Sequence, residues 1–188
     1  MSTREVVHQI LIRLRIADSL AIGKILHANG LYSSEHSARV QAQKALNSLV
    51  DLGKLEKGKG YYRTPDCKSE YGDHSRLLTK SLASLFATDA EPVIFREHTI
   101  NEVALRPDAL VMLKRDGKGL CFVLEVCHTE TPEYLNQKIT TWRNWAGSLD
   151  YLSALFNCKV PHFEIVVVGD DVPRGCWEFN LFLQEVVR

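Results

Sequence analysis

Two acidic residues stand in apolar stretches of the second half of the chain, where carboxylates are uncommon. Asp108 opens the run Asp-Ala-Leu-Val-Met-Leu, and Glu125 lies near the end of the run Leu-Cys-Phe-Val-Leu-Glu-Val. A polar, glycine-containing turn separates the runs, which predicts a hairpin of two strands within residues 106–128. In antiparallel strands the start of one lies beside the end of the other, so we expect the two acids to lie close together. Such a pair of buried carboxylates would suit a hard cation such as Mg²⁺ or Mn²⁺.

The same acids also fit a purely structural interpretation. Asp108 could cap a strand, and Glu125 could form an ion pair with a basic residue. Glu97, in a predicted strand over residues 93–98, is a third candidate metal ligand. A surface ion pair with Arg96 or with another base explains Glu97 more simply.

The first third of the chain is basic and predominantly helical in pattern. Residues 1–66 hold ten Lys or Arg against six Asp or Glu, and subtraction from the totals of 23 and 23 leaves 13 against 17 in residues 67–188. Apolar spacing and polar cap residues predict helices over residues 4–16, 20–27 and 35 to about 52. A glycine-rich hairpin follows within residues 54–63. The excess of positive charge indicates that this part contacts a polyanion.

Basic and amide side chains of the third helix and of the hairpin are the candidate nucleic-acid contacts. Arg and Lys bind phosphates or guanine edges, and Gln and Asn pair with adenine edges. These candidates are Ser37, Arg39, Gln41, Gln43, Lys44 and Asn47 on the helix, with Lys57, Lys59 and Arg63 on the hairpin. The alternative interpretation is a solvated helix face, or a surface that docks protein or forms a dimer.

After a turn-rich segment over residues 67–72, residues 73–188 predict an α/β domain built on a layered sheet. The expected order is a helix that begins near His74, the strand over 93–98, the hairpin, a helix from Pro132 that carries Lys138, and a further helix over 149–156. A buried strand over 163–168 and a terminal helix or helix-strand ending over 177–187 complete the order. We therefore expect two domains, 1–66 and 73–188.

Composition excludes several protein classes. Five cysteines at irregular spacings, without a Cys-X-X-Cys motif, argue against a disulfide framework. Cys127 and His128 with Cys158 and His162 could form a zinc site in principle, but neither spacing is usual for zinc. Apolar runs are too short to span a membrane and the N-terminus shows no signal peptide pattern, so a cytoplasmic location is expected.

Two parts of the chain resemble known folds. The three helices and basic hairpin, with the pattern Leu-X-X-Leu-Gly-X-Leu over residues 49–55, resemble the winged helix-turn-helix family. That resemblance implies that the third helix enters the DNA major groove while the hairpin contacts the backbone or minor groove. The acids resemble the PD-(D/E)XK nucleases, which place Asp on one strand and Glu-X-Lys on the next. Cys127 stands where that lysine belongs, and Lys138 on the following helix could replace it.

The order of all these motifs resembles the replication-relaxation family of plasmids, phages and integrative elements. The matching positions are His74, Pro107, Asp108, Ala109, Glu125, Val126, Thr129, Glu130 and Lys138. The resemblance implies a DNA-binding protein of a mobile element, acting in replication, relaxation or transcription control. We expect double-stranded DNA as its partner, a homodimer that binds paired half-sites, and a degenerate nuclease-like domain without a metal.

An endonuclease is the alternative function. It would be Mg²⁺- or Mn²⁺-dependent, with Asp108, Glu125 and Glu97 as metal ligands and with Lys138 as the replacement lysine. A third option is an adaptor whose helical domain docks protein.

Overall fold

The protein has a mixed α/β fold that divides into two compact units, Met1–Thr88 and Asp89–Arg188. The computed structural model describes residues 1–68, 71–88, 90–115, 118–128, 131–169 and 171–185. Thr129 and Glu130, which the family resemblance singled out, lie outside these described residues, as do parts of the predicted linker and of the hairpin turn. Within the described ranges, no helix is long and apolar enough to cross a membrane.

The first unit contains helices packed against a small sheet. Its elements are α1 (Thr3–Leu14), β1 (Ile16–Ala17), α2 (Ser19–Ala28), α3 (Glu35–Asp51), β2 (Glu56–Lys57), β3 (Tyr62–Arg63) and α4 (Asp73–Leu85). Ser2, Asp18 and Ser34 cap the first three helices by accepting backbone N–H groups of the first turn. The predicted helices and hairpin of this unit are therefore confirmed.

Strand β1 was not predicted from the sequence. It pairs antiparallel with β3, which in turn pairs with β2, so the sheet order is β1-β3-β2. Two residues are too few to show the alternation by which a strand is recognised in a sequence. Its pairing ties the end of α1 to the hairpin, because the Thr64 N–H also donates to the Arg15 carbonyl at 2.9 Å.

Helix α4 lies in the first unit, whereas the sequence analysis assigned it to the domain 73–188. Its buried stripe includes Leu78 and Leu82, and the helix contacts α1, α2 and β1. The Thr79 hydroxyl donates to the Ile16 carbonyl at 3.1 Å, deep in this contact. The boundary between the units follows Thr88, because the apolar face of α4 is buried against the helices that precede it.

The second unit is built around a sheet with helices on both faces. Its elements are β4 (Glu91–Arg96), a 3₁₀ turn (Asn101–Val103), β5 (Ala109–Arg115), β6 (Lys118–Val126), α5 (Pro132–Asn144), α6 (Ser148–Phe156), β7 (Glu164–Val168), β8 (Trp177–Glu178) and α7 (Phe179–Glu185). In the described residues the sheet order is β4-β5-β6-β7-β8. The pairs β4-β5 and β5-β6 are antiparallel, and β6-β7 and β7-β8 are parallel.

Alternation along β6 divides its side chains between two packed layers. Val123 belongs to a buried cluster with Ile139 and Trp142 of α5, whereas Phe122 contacts Phe182 of α7 edge to face. Both faces of the central strands are therefore covered, which explains why β6 and β7 consist of nearly continuous apolar residues. A polar side chain on the α5 face of these strands is enclosed between the sheet and that helix.

Candidate functional site

The predicted juxtaposition of the two acids is confirmed by the register of the β5-β6 hairpin. Ala109 lies opposite Leu124 in this antiparallel pair. Asp108 precedes Ala109 and Glu125 follows Leu124, so the two acids lie near each other at this end of the strand pair. The backbone N–H of Val126 donates to Asp108 Oδ2 at 2.7 Å. Asp108 is 9% exposed, so this hydrogen bond fixes a nearly buried carboxylate beside the end of β6.

Lys138 of α5 reaches Glu125. Because Val123 packs under α5 and side chains alternate along a strand, Glu125 projects from the same face. The Lys138 Nζ lies 2.5 Å from Glu125 Oε2. Glu125 is 0% exposed and Lys138 is 7% exposed, while the ring centroid of Tyr134 lies 5.7 Å from the same ammonium. The lysine that the sequence analysis selected as a replacement thus contacts the acid directly.

The electrostatic effect of this contact is to neutralise a fully buried carboxylate. An isolated ionised acid in a protein interior is strongly disfavoured, so the Glu125 charge requires a nearby cation. Lys138 supplies that cation within hydrogen-bonding distance. The tyrosine ring adds a favourable contact to the ammonium. The pair is therefore a buried ionic contact at the junction of β6 and α5.

Glu97 is directed toward a different base. Its backbone N–H donates to the Asp108 carbonyl at 2.9 Å, which extends the β4-β5 ladder by one bond. Its side chain forms an ion pair with Arg106 at 3.3 Å. A φ of 51° places Glu97 in the left-handed region, where a residue with a side chain is uncommon. The chain turns here, and the ion pair with Arg106 matches the simpler interpretation of this acid.

Each of the three candidate acids has a partner within the protein. Asp108 accepts a backbone N–H, Glu125 holds Lys138, and Glu97 pairs with Arg106. No group of three His, Cys, Asp or Glu residues within the described ranges is arranged to hold a metal ion. The described ranges include Glu97, Asp108 and Glu125, and also the two Cys-His pairs of the zinc alternative.

Cys127 lies at the position where the resemblance to PD-(D/E)XK nucleases predicts a strand lysine. Its N–H donates to the Val168 carbonyl at 2.9 Å, so the backbone of β6 stays paired with β7 beyond Glu125. The thiol is half-buried against the core under α5 and α6. At Gly169, an added Cβ would lie 2.7 Å from the Cys127 carbonyl oxygen, which explains the glycine there. This position therefore contributes packing to the site.

In the first unit, the predicted nucleic-acid contacts divide by exposure. The exposed candidates are Arg39, Lys44, Lys57 and Lys59, and the half-buried ones are Ser37, Gln41, Gln43, Asn47 and Arg63. No described residue forms a hydrogen bond or an ion pair with Arg39, Lys44 or Lys59. These three cations are accordingly available to an external anion.

A polar network joins α3 to the hairpin. Asn47 Oδ1 accepts from the Tyr62 hydroxyl at 2.8 Å and from Lys57 Nζ at 3.2 Å. The Gln43 amide donates to the same tyrosine hydroxyl. The role of Tyr62 was not predicted from the sequence, because it depends on the contact between the helix and the hairpin. The available signal was a tyrosine in a predicted strand, since the hydroxyl of a packed tyrosine needs a hydrogen-bond partner.

Two more of the predicted contact residues are engaged inside the protein. Arg63 pairs with Glu56 at 2.8 Å, and this hydrogen bond raises the pKa of the Arg63 guanidinium above its usual value. The Ser37 hydroxyl contacts Ser34 at the start of α3, where it donates to the Ser34 carbonyl at 3.0 Å. Arg63 thus carries less uncompensated charge than Lys59 at the tip of the same hairpin.

A groove of about 460 Å³ lies along the contact between α3 and the hairpin, and its lining includes Arg39, Gln43, Lys57 and Tyr62. The Asp18 cap at the start of α2 also borders it. Gly60 at the hairpin turn has a φ of 82°, which glycine adopts without strain. The groove is therefore bordered by two cations and an amide in one compact unit.

No family model, curated protein or solved structure matches the chain in comparisons with each of these groups. The proposed function therefore rests on the structures of the two units. In the first unit, the relevant feature is an exposed basic surface on α3 and the hairpin, defined by Arg39, Lys44, Lys57 and Lys59. In the second unit, the relevant feature is the buried acid and lysine at the end of the central strand β6.

Proposed function

We propose that the chain is a DNA-binding protein of a mobile genetic element, acting in replication, relaxation or transcription control. The observation that best supports this proposal is the basic surface of the first unit. The side chains of Arg39, Lys44 and Lys59 on this surface form no hydrogen bond or ion pair with the described residues. Its element order, α1-β1-α2-α3-β2-β3 with sheet order β1-β3-β2, supports a winged helix-turn-helix domain with the hairpin as its wing.

In this proposal α3 lies in the major groove of double-stranded DNA. Arg39 and Lys44 bind phosphates or guanine edges, and Gln43 presents an amide to adenine. The network through Tyr62 and Asn47 fixes the hairpin relative to α3 before DNA arrives. The wing then places Lys57 beside a phosphate without a large loss of side-chain freedom.

The test is an anisotropy titration with DNA from the element that encodes the protein. Replacing Arg39 and Lys44 together by alanine should abolish specific binding, and wild-type affinity should fall steeply as salt increases. The matched control replaces Lys114 and Lys159, two exposed cations of the second unit, by alanine, which removes the same charge. If the Arg39/Lys44 double variant keeps wild-type affinity, the proposal is wrong.

The second unit supports assembly or DNA clamping in this proposal, on a degenerate nuclease-like scaffold. Glu125 is neutralised by Lys138, and Cys127 replaces the lysine that the related nucleases carry next to their glutamate. A homodimer would present two copies of α3 to paired half-sites. Light scattering on the purified full chain measures this directly, and a strictly monomeric protein on DNA would remove the paired-site part of the proposal.

One observation favours the alternative, a Mg²⁺- or Mn²⁺-dependent endonuclease. Lys138 reaches Glu125 from α5, which is where a displaced nuclease lysine would be needed. In that case Asp108→Ala abolishes cleavage and leaves DNA binding intact. If the wild-type protein cuts neither supercoiled, linear nor branched DNA with either ion, the alternative fails.

A further inference from the structure

The first unit contains a second groove, of about 560 Å³, between α2 and α4. Small residues recur along this groove, with Ala21 and Ala28 on α2, Ala83 on α4 and Ala87 in the turn that follows α4. The spacing of seven residues keeps Ala21 and Ala28 on one face of α2. Methyl groups leave space there that longer side chains would fill. The volume falls within the range of about 300–1,000 Å³ that is usual for small-molecule sites.

Three cations border this groove. Lys24 projects from α2, and Arg76 and Lys80 project from α4. The ammonium group of neither lysine forms a hydrogen bond or an ion pair with any described residue. Arg76 has a distant contact with Asp73, at 3.9 Å. The cationic charge at the groove is therefore weakly compensated from within the unit.

Two acids also line the groove, but one is fully engaged. Asp18 Oδ1 accepts the Ala21 N–H at 2.8 Å as the cap of α2. Its Oδ2 accepts the Tyr71 hydroxyl at 3.1 Å. Glu35, at the start of α3, is the other acid. Hydrogen bonds from neutral donors do not cancel the Asp18 charge, so the lining has a formal excess of one positive charge, with three cations against two acids.

We propose that this groove binds a small amphipathic carboxylate, an acid whose apolar body lies on the alanine surface and whose carboxylate bonds to Lys24 and Lys80. An apolar surface with a few convergent polar groups is the usual composition of a ligand site. Charge-assisted hydrogen bonds from the ammonium groups select the anion over a neutral analogue. Aliphatic and aromatic acids share this chemistry, and the experiment separates them.

A consequence for regulation rests on the proposed DNA-binding function. Helix α2 approaches α3 closely at Gly23, where an added Cβ would lie 2.8 Å from the Arg39 Cα. A ligand that shifts α2 against α4 therefore changes the position of Arg39 and alters DNA affinity. Ligand binding itself is measured without DNA, so failure of the groove and failure of the DNA proposal are distinguishable.

The test is calorimetric titration of the full chain with decanoate, 4-phenylbutyrate, decanamide and inorganic phosphate. We expect one of the two carboxylates to bind and to raise the melting temperature, and decanamide to bind about ten-fold more weakly, as for one lost charged hydrogen bond. The variant Lys24→Gln/Lys80→Gln should show a similar loss. Lys54→Gln/Lys159→Gln, which removes two exposed lysines outside the groove, should bind as the wild type does.

A second variant tests the groove without changing its charge. Ala28 and Ala87 are exposed, so Ala28→Leu/Ala87→Leu fills the groove and should weaken binding while the melting temperature of the free protein is kept. The proposal is overturned if neither carboxylate binds, if decanamide binds equally well, or if the lysine variant retains affinity. Phosphate binding that matches the carboxylates would instead show a simple anion site and would also overturn it.

Discussion

The ammonium of Lys138 lies 2.5 Å from the carboxylate of Glu125, and both side chains are buried between β6 and α5. Removing one member leaves a buried charge without its partner, which costs about 3–5 kcal/mol. We therefore expect Lys138→Met to lower the free energy of unfolding by about that amount in urea titrations. Lys159→Met, at an exposed position, should have little effect.

The double variant Lys138→Met/Glu125→Leu completes this cycle. With both charges replaced by apolar groups, most of the lost stability should return, because hydrophobic residues of similar volume often substitute well for a buried pair. Additive losses in the double variant would show that the two residues do not interact energetically.

A second prediction concerns the close approach of α2 and α3. In a helix interior, alanine is favoured over glycine by about 1 kcal/mol. At Gly23 the new Cβ would meet the backbone of Arg39 at 2.8 Å, and backbone cannot swing aside as a flexible side chain does. The steric cost, typically about 1–3 kcal/mol, should outweigh the propensity gain, so Gly23→Ala lowers the melting temperature.

The control for this substitution is Lys24→Ala, an exposed position on the same helix. That change should leave the melting temperature nearly unchanged. A stabilised Gly23→Ala variant would mean that the two helices separate readily and that propensity decides the outcome.

A third prediction separates two basic residues of the hairpin. Lys59 has no ion-pair partner among the described residues, whereas Arg63 is paired with Glu56. Each phosphate contact contributes about 0.9 to the slope of log affinity against log salt. Lys59→Gln should therefore reduce that slope by about one, and Arg63→Gln should change it much less. Equal losses in the two variants would show that Glu56 releases Arg63 when DNA binds.

A fourth prediction concerns alkaline pH. Burial raises the pKa of the Cys121 thiol from 9.0 to about 12, with a smaller contribution from Cys158. The folded state therefore keeps its proton when the unfolded chain has lost it. The stabilisation is complete below pH 9 and is lost progressively as pH rises toward 12.

Urea titrations at pH 7.5 and pH 10 measure this effect. The wild type should lose about 1 kcal/mol more than Cys121→Ala over that interval, since the other ionisable groups are common to both proteins. Parallel losses in the two proteins would show that Cys121 ionises equally in the folded and unfolded states.

Local patterns were sufficient to predict the β5-β6 hairpin and its two acids. Alternation and the polar turn fixed the strand pair, and antiparallel pairing then placed Asp108 near Glu125. Lys138 on the following helix was selected from the resemblance to the PD-(D/E)XK nucleases, and its contact with Glu125 depends on the packing of α5 over Val123. Whether these acids and this lysine act on DNA stays a prediction.

The remaining features depend on contacts between segments distant in the sequence. The apolar stripe of α4 showed which face is buried but not that its partners are α1, α2 and β1. Tyr62 gained its role only through the packing of α3 on the hairpin. The Arg63-Glu56 ion pair could have been predicted from the sequence, because opposite charges at opposed positions of a hairpin attract each other. Glu97 turned toward Arg106 because of a backbone conformation that its residue type does not predict.

The Lys138-Glu125 contact also bears on how the second unit reaches its native state. The cation that balances the buried acid is encoded in the polypeptide, so it is supplied at fixed stoichiometry from synthesis onward. Compensation of the Glu125 charge needs no ion from the medium. Chelating buffers and changes in free magnesium should consequently leave that part of the unit intact during purification and in the cell.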